Sequence, residues 1–145
     1  MLVHEFLEAS AQNNPDAAAV IHGDEILTYG ALDRWSRAIA ASLIAGGVRP
    51  GDRVGLLADN STLYVASYYG ILEAGAVVVA QNAAAEAGGI VECLADCAAS
   101  ALVVGPRFGG LLGLDFVREG DGSVSVTTPP SSAIGPVDVV LARPG

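Results

Sequence analysis

Three short apolar runs, each separated from the next by a helical segment, constrain the fold of this chain more than any other feature. The runs are Arg53–Leu57, Ala76–Ala80 and Ala101–Gly105, and the segments between them are Leu63–Glu73 and Ala84–Ala98. Strands that alternate with helices at this spacing predict a three-layer α/β fold, in which helices flank a mostly parallel sheet. We also expect the Val-rich run 76–80 to be covered on both faces, as strands inside parallel sheets are.

The region before these strands predicts two further helices and a small hairpin. Apolar residues recur at helical spacing over Val3–Gln12. Two β-prone runs flank His22–Glu25, which is typical of a small N-terminal β-hairpin. Thr28 is a suitable N-cap for a second helix, which we expect to end at Gly46–Gly47.

The last third of the chain has weaker signals. Residues 106–136 are predicted to form a less regular connector, and residues 137–142 a last strand. We therefore interpret residues 1–145 as a single α/β domain, which is long enough for one hydrophobic core. Working loops of parallel α/β proteins follow the carboxyl ends of strands, and the sequence ends where such a loop is expected.

The balance of charged and apolar residues limits the partners. The net charge is −9, with 7 Arg, no Lys and 16 acidic residues, so we expect no binding to nucleic acid or to an anionic membrane surface. Acidic residues interrupt the most apolar region and the N-terminus lacks a secretory pattern, which predicts no membrane span and a cytoplasmic location. The apolar content of 52% has two explanations that the sequence leaves open. One is an apolar face that packs against further protein or favours self-association, and the other is the alanine-rich composition of a GC-rich genome.

The cysteines and histidines indicate neither a metal site nor a catalytic role. Cys93 and Cys97 lie four residues apart in a predicted helix, a spacing that suits neither a zinc site nor a CxxC redox pair. We expect both to be small core residues. His4 and His22 have no partner ligands at metal spacing and are expected at the surface. The sequence thus predicts no metal site and no catalytic residue.

Polar and aromatic residues after the strand Arg53–Leu57 are the candidates for ligand contact. Asn60 and Ser61 follow its carboxyl end, where ligands bind in α/β proteins, although helix capping by itself accounts for both. Tyr68 lies on the next helix with Tyr64 and Tyr69, where it either lines a pocket or packs in the core. The candidate substrate-binding residues are Asn60, Ser61 and Tyr68.

Several motifs resemble, in order, the N-terminal region of the AMP-forming acyl- and aminoacyl-adenylating enzymes. This superfamily contains acyl-CoA synthetases, the adenylation domains of nonribosomal peptide synthetases, and luciferases. The similar stretches are LTYGAL (27–32), GVRPGDRVGLLADNS (47–61) and GILEAGAVVVAQN (70–82), and the resemblance covers nearly all of residues 3–105. The motif positions expected to have structural roles are Leu27, Thr28, Tyr29, Leu32, Gly51, Asp52, Ala74, Gly75 and Asn82.

The resemblance implies a complete enzyme that uses ATP and Mg²⁺ to form an acyl-adenylate. The acyl group then passes to CoA or to the phosphopantetheine of a carrier protein. The Thr/Ser/Gly-rich phosphate loop of the superfamily is expected after the strand 137–142, where this sequence reads LARPG. Its adenine, magnesium and ribose motifs and its catalytic Lys are also absent from these 145 residues. The resemblance therefore implies that this chain alone binds no cofactor and is inactive.

Three hypotheses stay open at this point. The chain is the N-terminal part of an adenylating enzyme, one half of a split enzyme, or a noncatalytic interaction module. The first two give it the remainder of such an enzyme as its partner, in the same or in a separate chain. The third is motivated by Ala80–Asn82, because the superfamily usually has Pro after the Val run. GAVVVAQN (75–82) resembles acyl-CoA synthetases more than peptide synthetases.

Overall fold

The computed structural model describes residues 2–105, 124–127 and 138–141. Within these residues the chain forms four helices and seven strands. The helices are α1 (Val3–Asn13), α2 (Tyr29–Ala45), α3 (Thr62–Glu73) and α4 (Ala87–Asp96). The strands are β1 (Ala18–His22), β2 (Glu25–Thr28), β3 (Arg53–Leu57), β4 (Val77–Ala80), β5 (Ala101–Val104), β6 (Val124–Thr127) and β7 (Asp138–Leu141).

A five-stranded sheet with the order β4-β3-β5-β7-β6 forms the middle layer. β3 pairs in parallel with both β4 and β5, and α3 and α4 provide the connections. The predicted α/β class, with parallel strands, flanking helices and an N-terminal hairpin, is confirmed. β7 lies inside the predicted strand 137–142 but pairs antiparallel with β5, and β6 pairs antiparallel with β7. The connector predicted over 106–136 lies outside the described residues except for β6.

Alternate residues of the central strands point to opposite faces of the sheet and belong to two separate cores. Val54 and Leu56 of β3 pack into the core on the side of α2 and α3. Leu57 packs on the other side with Ile90 of α4. β5 is buried along its whole length in the same alternating way. The continuous apolar runs of β3 and β5 thus follow from their position between two layers of helix.

The expectation that the Val-rich strand is covered on both faces is wrong. β4 lies at the edge of the sheet, next to β3 only. Val77 is 51% exposed, and Val78 is only partly buried against the core under α3. A β-branched run has the same composition in an edge strand as in a central strand, so the run could not reveal the order of strands.

The N-terminal hairpin packs as a separate two-stranded sheet. β1 and β2 pair antiparallel through a two-residue loop, in which Gly23 adopts a φ of +59°. Loops of this length require a positive φ that glycine adopts at little cost. Leu27 of β2 is buried, so the hairpin joins the core that α2 and α3 share.

Helices α2 and α3 approach each other most closely at Gly70. A Cβ atom on Gly70 would lie 2.8 Å from the Cβ of Ile39 and 2.8 Å from the carbonyl oxygen of Ser36. Backbone occupies the second of these positions, so a side chain at residue 70 could not be accommodated by a rotamer change alone. The glycine therefore sets the distance between the two helices.

α4 is shorter than predicted and its C-terminus is held by a cation. It begins at Ala87 rather than at Ala84, because the Asn82 side chain accepts a hydrogen bond from the Ala84 amide (2.9 Å) and forms a turn. At the other end, the Arg53 guanidinium donates to the carbonyls of Cys97 (2.7 Å) and Ala98 (3.1 Å). A positive group at a helix C-terminus satisfies carbonyls that have no partner within the helix.

Gly70→Ala is expected to lower the free energy of unfolding by about 1–3 kcal/mol, because the added methyl group overpacks the α2–α3 contact. Gly89→Ala in α4 is the matched control. Its added Cβ meets no atom within 4 Å, and we expect a gain of about 0.5–1 kcal/mol from helix propensity. Urea denaturation of both variants measures the difference, and equal effects at the two positions would contradict the packing assignment.

Candidate functional site

The carboxyl ends of the three parallel strands lie side by side at one edge of the sheet. The Gln81 amide after β4 donates to the carbonyl of Leu56 in β3 (2.8 Å), and the Gly105 amide after β5 donates to the carbonyl of Leu57 (2.8 Å). The residues that follow these strands are therefore neighbours in space. Parallel α/β proteins bind ligands at this edge, which makes it the candidate site.

Two of the three candidate substrate-binding residues lie directly at this edge. Asn60 is exposed in the loop after β3. The Ser61 hydroxyl caps α3, accepting a hydrogen bond from the Tyr64 amide (3.1 Å) and donating one to the Asp59 carbonyl (3.1 Å). The hydroxyl of Ser61 is thus used within the chain, whereas the Asn60 side chain faces solvent.

The third candidate, Tyr68, lies on the second turn of α3 and is 39% exposed. Its ring lies 6.5 Å from the ring of Tyr64, at an interplanar angle of 36°. The spacing from Ser61 to Tyr64 and Tyr68 places all three on one face of the helix. Tyr64 and Tyr69 both pack partly against the core, so Tyr68 is the exposed member of the three tyrosines.

A cavity of about 270 Å³ lies between α1, the hairpin, α2 and α3, away from the residues that follow the strands. Its walls are mostly apolar, with hydroxyl groups contributed by Ser10, Tyr29 and Tyr69. The side chains that line it are Phe6, Leu7, Ser10, Ala19, Val20, Tyr29, Leu32, Val65 and Tyr69. Tyr29, expected in a structural role, therefore borders open space as well as the core.

The turns that contain Gly51 and Gly75 meet where β3 and β4 begin, at the end of the sheet opposite the candidate site. The Gly51 amide donates to the Gly75 carbonyl (2.8 Å), and the Val77 amide donates to the Asp52 carbonyl (2.7 Å). Gly51 and Gly75 adopt φ values of +86° and +76°, in the left-handed region that favours glycine. Ala74, the C-cap of α3, is buried beside them. These motif residues shape the backbone and present no reactive group.

The motif at the start of α2 is also structural. The Thr28 hydroxyl accepts a hydrogen bond from the Ala31 amide (3.2 Å) and caps the helix, as predicted. Leu27 and Leu32 are buried in the core on either side of this cap. Asn82, the last motif residue, shapes the turn before α4 and lies at the same edge as Asn60.

A polar network between α1, α2 and α3 was not predicted. The Ser36 hydroxyl lies 2.7 Å from the Glu73 carboxylate, and Arg37 forms ion pairs with Asp33 (2.9 Å) and Glu8 (3.2 Å). The i,i+4 spacing of Asp33 and Arg37 was readable from the sequence. The contact of Ser36 with Glu73 was not, because the two residues are 37 positions apart.

Burial raises the pKa of the Glu73 carboxyl above its ordinary value. A hydrogen bond from Ser36 and the charge of Arg37 oppose this rise, while the negative charges of Asp33 and Glu8 add to it. The pKa of Arg37 is raised, first by its hydrogen bond to Asp33 and then by the charge of that carboxylate. One oxygen of Asp33, Oδ1, is buried without a hydrogen-bond partner.

The burial of both cysteines and of one histidine differs from the prediction. The expectation that both cysteines are core residues is wrong: Cys93 is exposed and Cys97 is half-buried at the C-cap of α4, and both are free. α4 buries Ile90 and packs Leu94 against the sheet, while Cys93 is exposed beside the Gln81 side chain, whose Nε2 lies 3.6 Å from its Sγ. His22 is exposed as predicted, whereas His4 is half-buried.

The described residues contain neither a metal-binding cluster nor a membrane-spanning helix. No group of three or more His, Cys, Asp or Glu side chains within residues 2–105, 124–127 and 138–141 is arranged to hold a metal ion. In the same part of the chain, no helix combines the length and the apolar character needed to cross a bilayer.

Comparison with known proteins relates the chain to adenylating enzymes. The AMP-binding enzyme family matches residues 7–136. A feruloyl-CoA synthase of an Amycolatopsis species is 35% identical over 137 residues, which is 90% of this chain and 28% of that protein. The nonribosomal peptide synthetase hkm11 of Aspergillus hancockii is 44% identical over 77 residues, which is 53% of this chain and 6% of that protein. The chain thus spans about a quarter or less of the length of these relatives.

Solved structures show the same architecture. The anthranilate CoA ligase AuaEII, in complex with anthranoyl-AMP, superposes with a TM-score of 0.73 and is 27% identical, over 78% of this chain and 22% of that one. The N-terminal domain of FACL13 from Mycobacterium tuberculosis superposes with a TM-score of 0.72 at 26% identity, over 77% of this chain and 29% of that one. The fold is therefore that of the N-terminal parts of such ligases.

Ser61→Ala is expected to lower the free energy of unfolding by about 1 kcal/mol, because the first turn of α3 loses its side-chain cap. Ser61→Asp keeps an oxygen at the N-cap and is expected to restore most of that loss. Asn60→Ala, at an exposed position next to the cap, is the control and should change stability little. Thermal unfolding measures all three, and a Ser61→Ala protein as stable as the parent would contradict the capping role.

Proposed function

The chain belongs to the AMP-binding enzyme family, and from this premise we propose that it forms the N-terminal structural part of an enzyme that activates a carboxylic acid with ATP. In the complete enzyme, ATP and Mg²⁺ serve formation of the acyl-adenylate, and a thiol of CoA or of a phosphopantetheine carrier accepts the acyl group. The observation that carries this proposal is the similarity to a feruloyl-CoA synthase over 90% of the chain. The α/β architecture shared with the CoA ligase structures agrees with it.

We favour CoA as the acceptor. The similarity to the feruloyl-CoA synthase extends over 90% of the chain, whereas that to the peptide synthetase hkm11 extends over 53%. The run GAVVVAQN (75–82), which resembles acyl-CoA synthetases, points in the same direction. The identity over the shorter match is higher, so phosphopantetheine on a carrier protein is the alternative acceptor that an experiment must separate.

The described residues do not fit a triphosphate site, so no step of the reaction is assigned to them. Triphosphates are bound by clusters of backbone amides and by cations. At the candidate edge, Ser61 is committed to capping and Asn82 accepts from a neighbouring amide. Arg37 and Arg53 are committed to carboxylates and to helix carbonyls. Arg34 lies within α2 and Arg49 precedes β3, so neither follows the carboxyl end of a strand. Because adenylation joins two anions and needs a cation in its transition state, we propose that the chain alone is inactive.

The role proposed for the candidate edge is positional. The loops after β3 and β4 carry Asn60 and Asn82, and the loop after β5 begins with Gly105. A Cβ on Gly105 would lie 3.0 Å from the Cβ of Ala58, so the loops after β3 and β5 are closely packed. We propose that this edge supports the catalytic loops that the remainder of the enzyme supplies, with Asn60 and Tyr68 the side chains free to contact substrate.

Exposed apolar side chains are the surface that we propose the remainder of the enzyme covers, whether it belongs to the same chain or to another. Val77 is exposed on β4, which lies at the edge of the sheet. The outer backbone groups of an edge strand can form hydrogen bonds with a further strand. Ile21 and Ile26 are cross-strand partners on the outer face of the hairpin, and both are exposed. Without the remainder, these surfaces favour self-association. We propose that the protein acts in the cytoplasm.

Pyrophosphate exchange tests the proposed activity. The purified chain is expected to give no acid-dependent exchange between ATP and labelled pyrophosphate with any acid of an aliphatic and aromatic panel. Co-expression with the missing portion of the enzyme is expected to restore exchange, and that portion alone is the control. Exchange by the chain alone would contradict its inactivity, and a folded pair without exchange would contradict its role in adenylation.

Val77→Glu is expected to shift the chain towards monomer, because it places a charge on the exposed edge strand. Val91→Glu, a substitution of equal chemistry at an exposed site on α4, is the control and should leave association unchanged. Sedimentation velocity over a wide concentration range measures both. A parent chain that is monomeric throughout would overturn the proposed self-association.

A further inference from the structure

The Ser36 hydroxyl is fully buried between two oxygen atoms. It lies 2.7 Å from Oε1 of Glu73 and 3.1 Å from the main-chain carbonyl of Asp33. A serine hydroxyl has one hydrogen to donate, and both neighbours are acceptors if Glu73 is ionised. The two contacts must then share one hydrogen. A second hydrogen on the Glu73 carboxyl gives each contact a hydrogen of its own.

The charges around Glu73 favour its neutral form. Asp33 and Arg37 face Glu73 from α2. Glu8 and His4 face it from α1, and both line a surface cavity together with Glu73. Arg37 is the only permanent cation among them, and it is already paired with Asp33 and Glu8.

The helix itself adds to this bias. Glu73 is the last residue of α3, and the helix dipole disfavours a negative charge at a C-terminus. The raised pKa of Glu73, caused first by burial, agrees with this arrangement. Any hydrogen bond donated by Glu73 to Ser36, rather than accepted from it, raises that pKa further.

We propose that Glu73 and Ser36 form a proton-dependent latch between α3 and α2. In the closed latch, protonated Glu73 donates a hydrogen bond to Oγ of Ser36, and Ser36 donates its own hydrogen to the carbonyl of Asp33. Loss of the Glu73 proton leaves a carboxylate beside Asp33 and Glu8, and Ser36 can then serve only one of its two acceptors.

The released proton has a direct path to water. Glu73 lines a cavity of about 270 Å³ together with His4, Glu8 and Arg37, and this cavity opens at the surface. The proton passes to solvent or buffer in this cavity, and the hydrogen bonds of Ser36 change with its loss. The latch is therefore reversible and follows the pH of the medium.

The latch acts on the junction between α3 and β4. Ala74 and Gly75 follow Glu73 directly, and the Gly75 carbonyl accepts the hydrogen bond from Gly51 that joins the two turns at this edge of the sheet. Opening of the latch removes one of the two hydrogen bonds of Ser36 and so weakens its hold on the end of α3. We therefore expect the amides of Ala74, Gly75 and Ala76 to become less protected from exchange as the pH rises through the titration of Glu73.

The sign of the pH dependence follows from linkage. A carboxyl whose pKa is raised by folding stabilises the folded chain fully below its ordinary pKa of 4.5. That contribution is lost as the pH rises through the higher, folded-state pKa. The folded protein is thus less stable at neutral pH, with respect to this one group, than it is in mild acid.

Carboxyl-detected NMR of the full 145-residue chain tests the latch directly. Glu73 is expected to titrate above the range of exposed glutamates, with a simultaneous loss of amide protection at residues 74–76. Ser36→Ala separates the two directions of the hydrogen bond. It lowers the Glu73 pKa if Ser36 accepts from Glu73, and raises it if Ser36 donates to the carboxylate. A Glu73 that titrates at or below the ordinary value, or a rise in Ser36→Ala, would overturn the proposal.

Glu73→Gln provides an independent test by stability. The amide is uncharged and keeps a donor for Ser36, so the variant is expected to match or exceed the parent in melting temperature at neutral pH. The pH dependence of its melting temperature should also lack the contribution from titration of Glu73. Glu92→Gln, at an exposed position of α4, is the control and should keep that dependence. An unchanged pH profile in Glu73→Gln would refute the latch.

Discussion

The close approach of α2 and α3 is the contact on which the rest of this structure depends. Gly70 allows the backbone of α3 to reach Ser36 and Ile39 of α2, and no other residue would leave the space. The two helices then cover one face of the sheet as a single layer. Ile39 and Ile71, both fully buried, seal that layer against β3. Dense packing of this kind transmits a change at one helix to the other.

This layer also fixes which strands are central. β5 is buried throughout and β3 is buried from Val54 to Leu57, whereas β4 lies at the edge with Val77 half-exposed. Gly55 in β3 allows the second layer to approach, because a Cβ there would lie 2.5 Å from a side-chain carbon of Leu94 in α4. Three strands held in this way present their carboxyl ends as one edge. The described residues at this edge supply capping and turn groups, which agrees with the positional role proposed for it.

Features that depend on neighbouring residues were predictable from the sequence, and features that depend on sheet order were not. The caps at Thr28 and Ser61 lie within three residues of the amides that they serve, so local chemistry identified them. Val77 is exposed because no strand among the described residues pairs with the outer side of β4, and no local pattern encodes this position. Asn60 and Tyr68 were predicted as candidates and lie exposed at or near the edge, and their contact with substrate stays a prediction. The pairing of Ser36 with Glu73 joins two helices and had no local signal.

The central claim is that this chain is a structural part of a larger adenylating enzyme. The most direct measurement is the mass of the protein in its source cell, by antibody capture followed by intact mass spectrometry. We predict either a polypeptide several times heavier than 14.6 kDa, or a 14.6 kDa chain that co-purifies with the remainder of an AMP-forming ligase. A 14.6 kDa chain that is captured folded and without any such partner would contradict the claim.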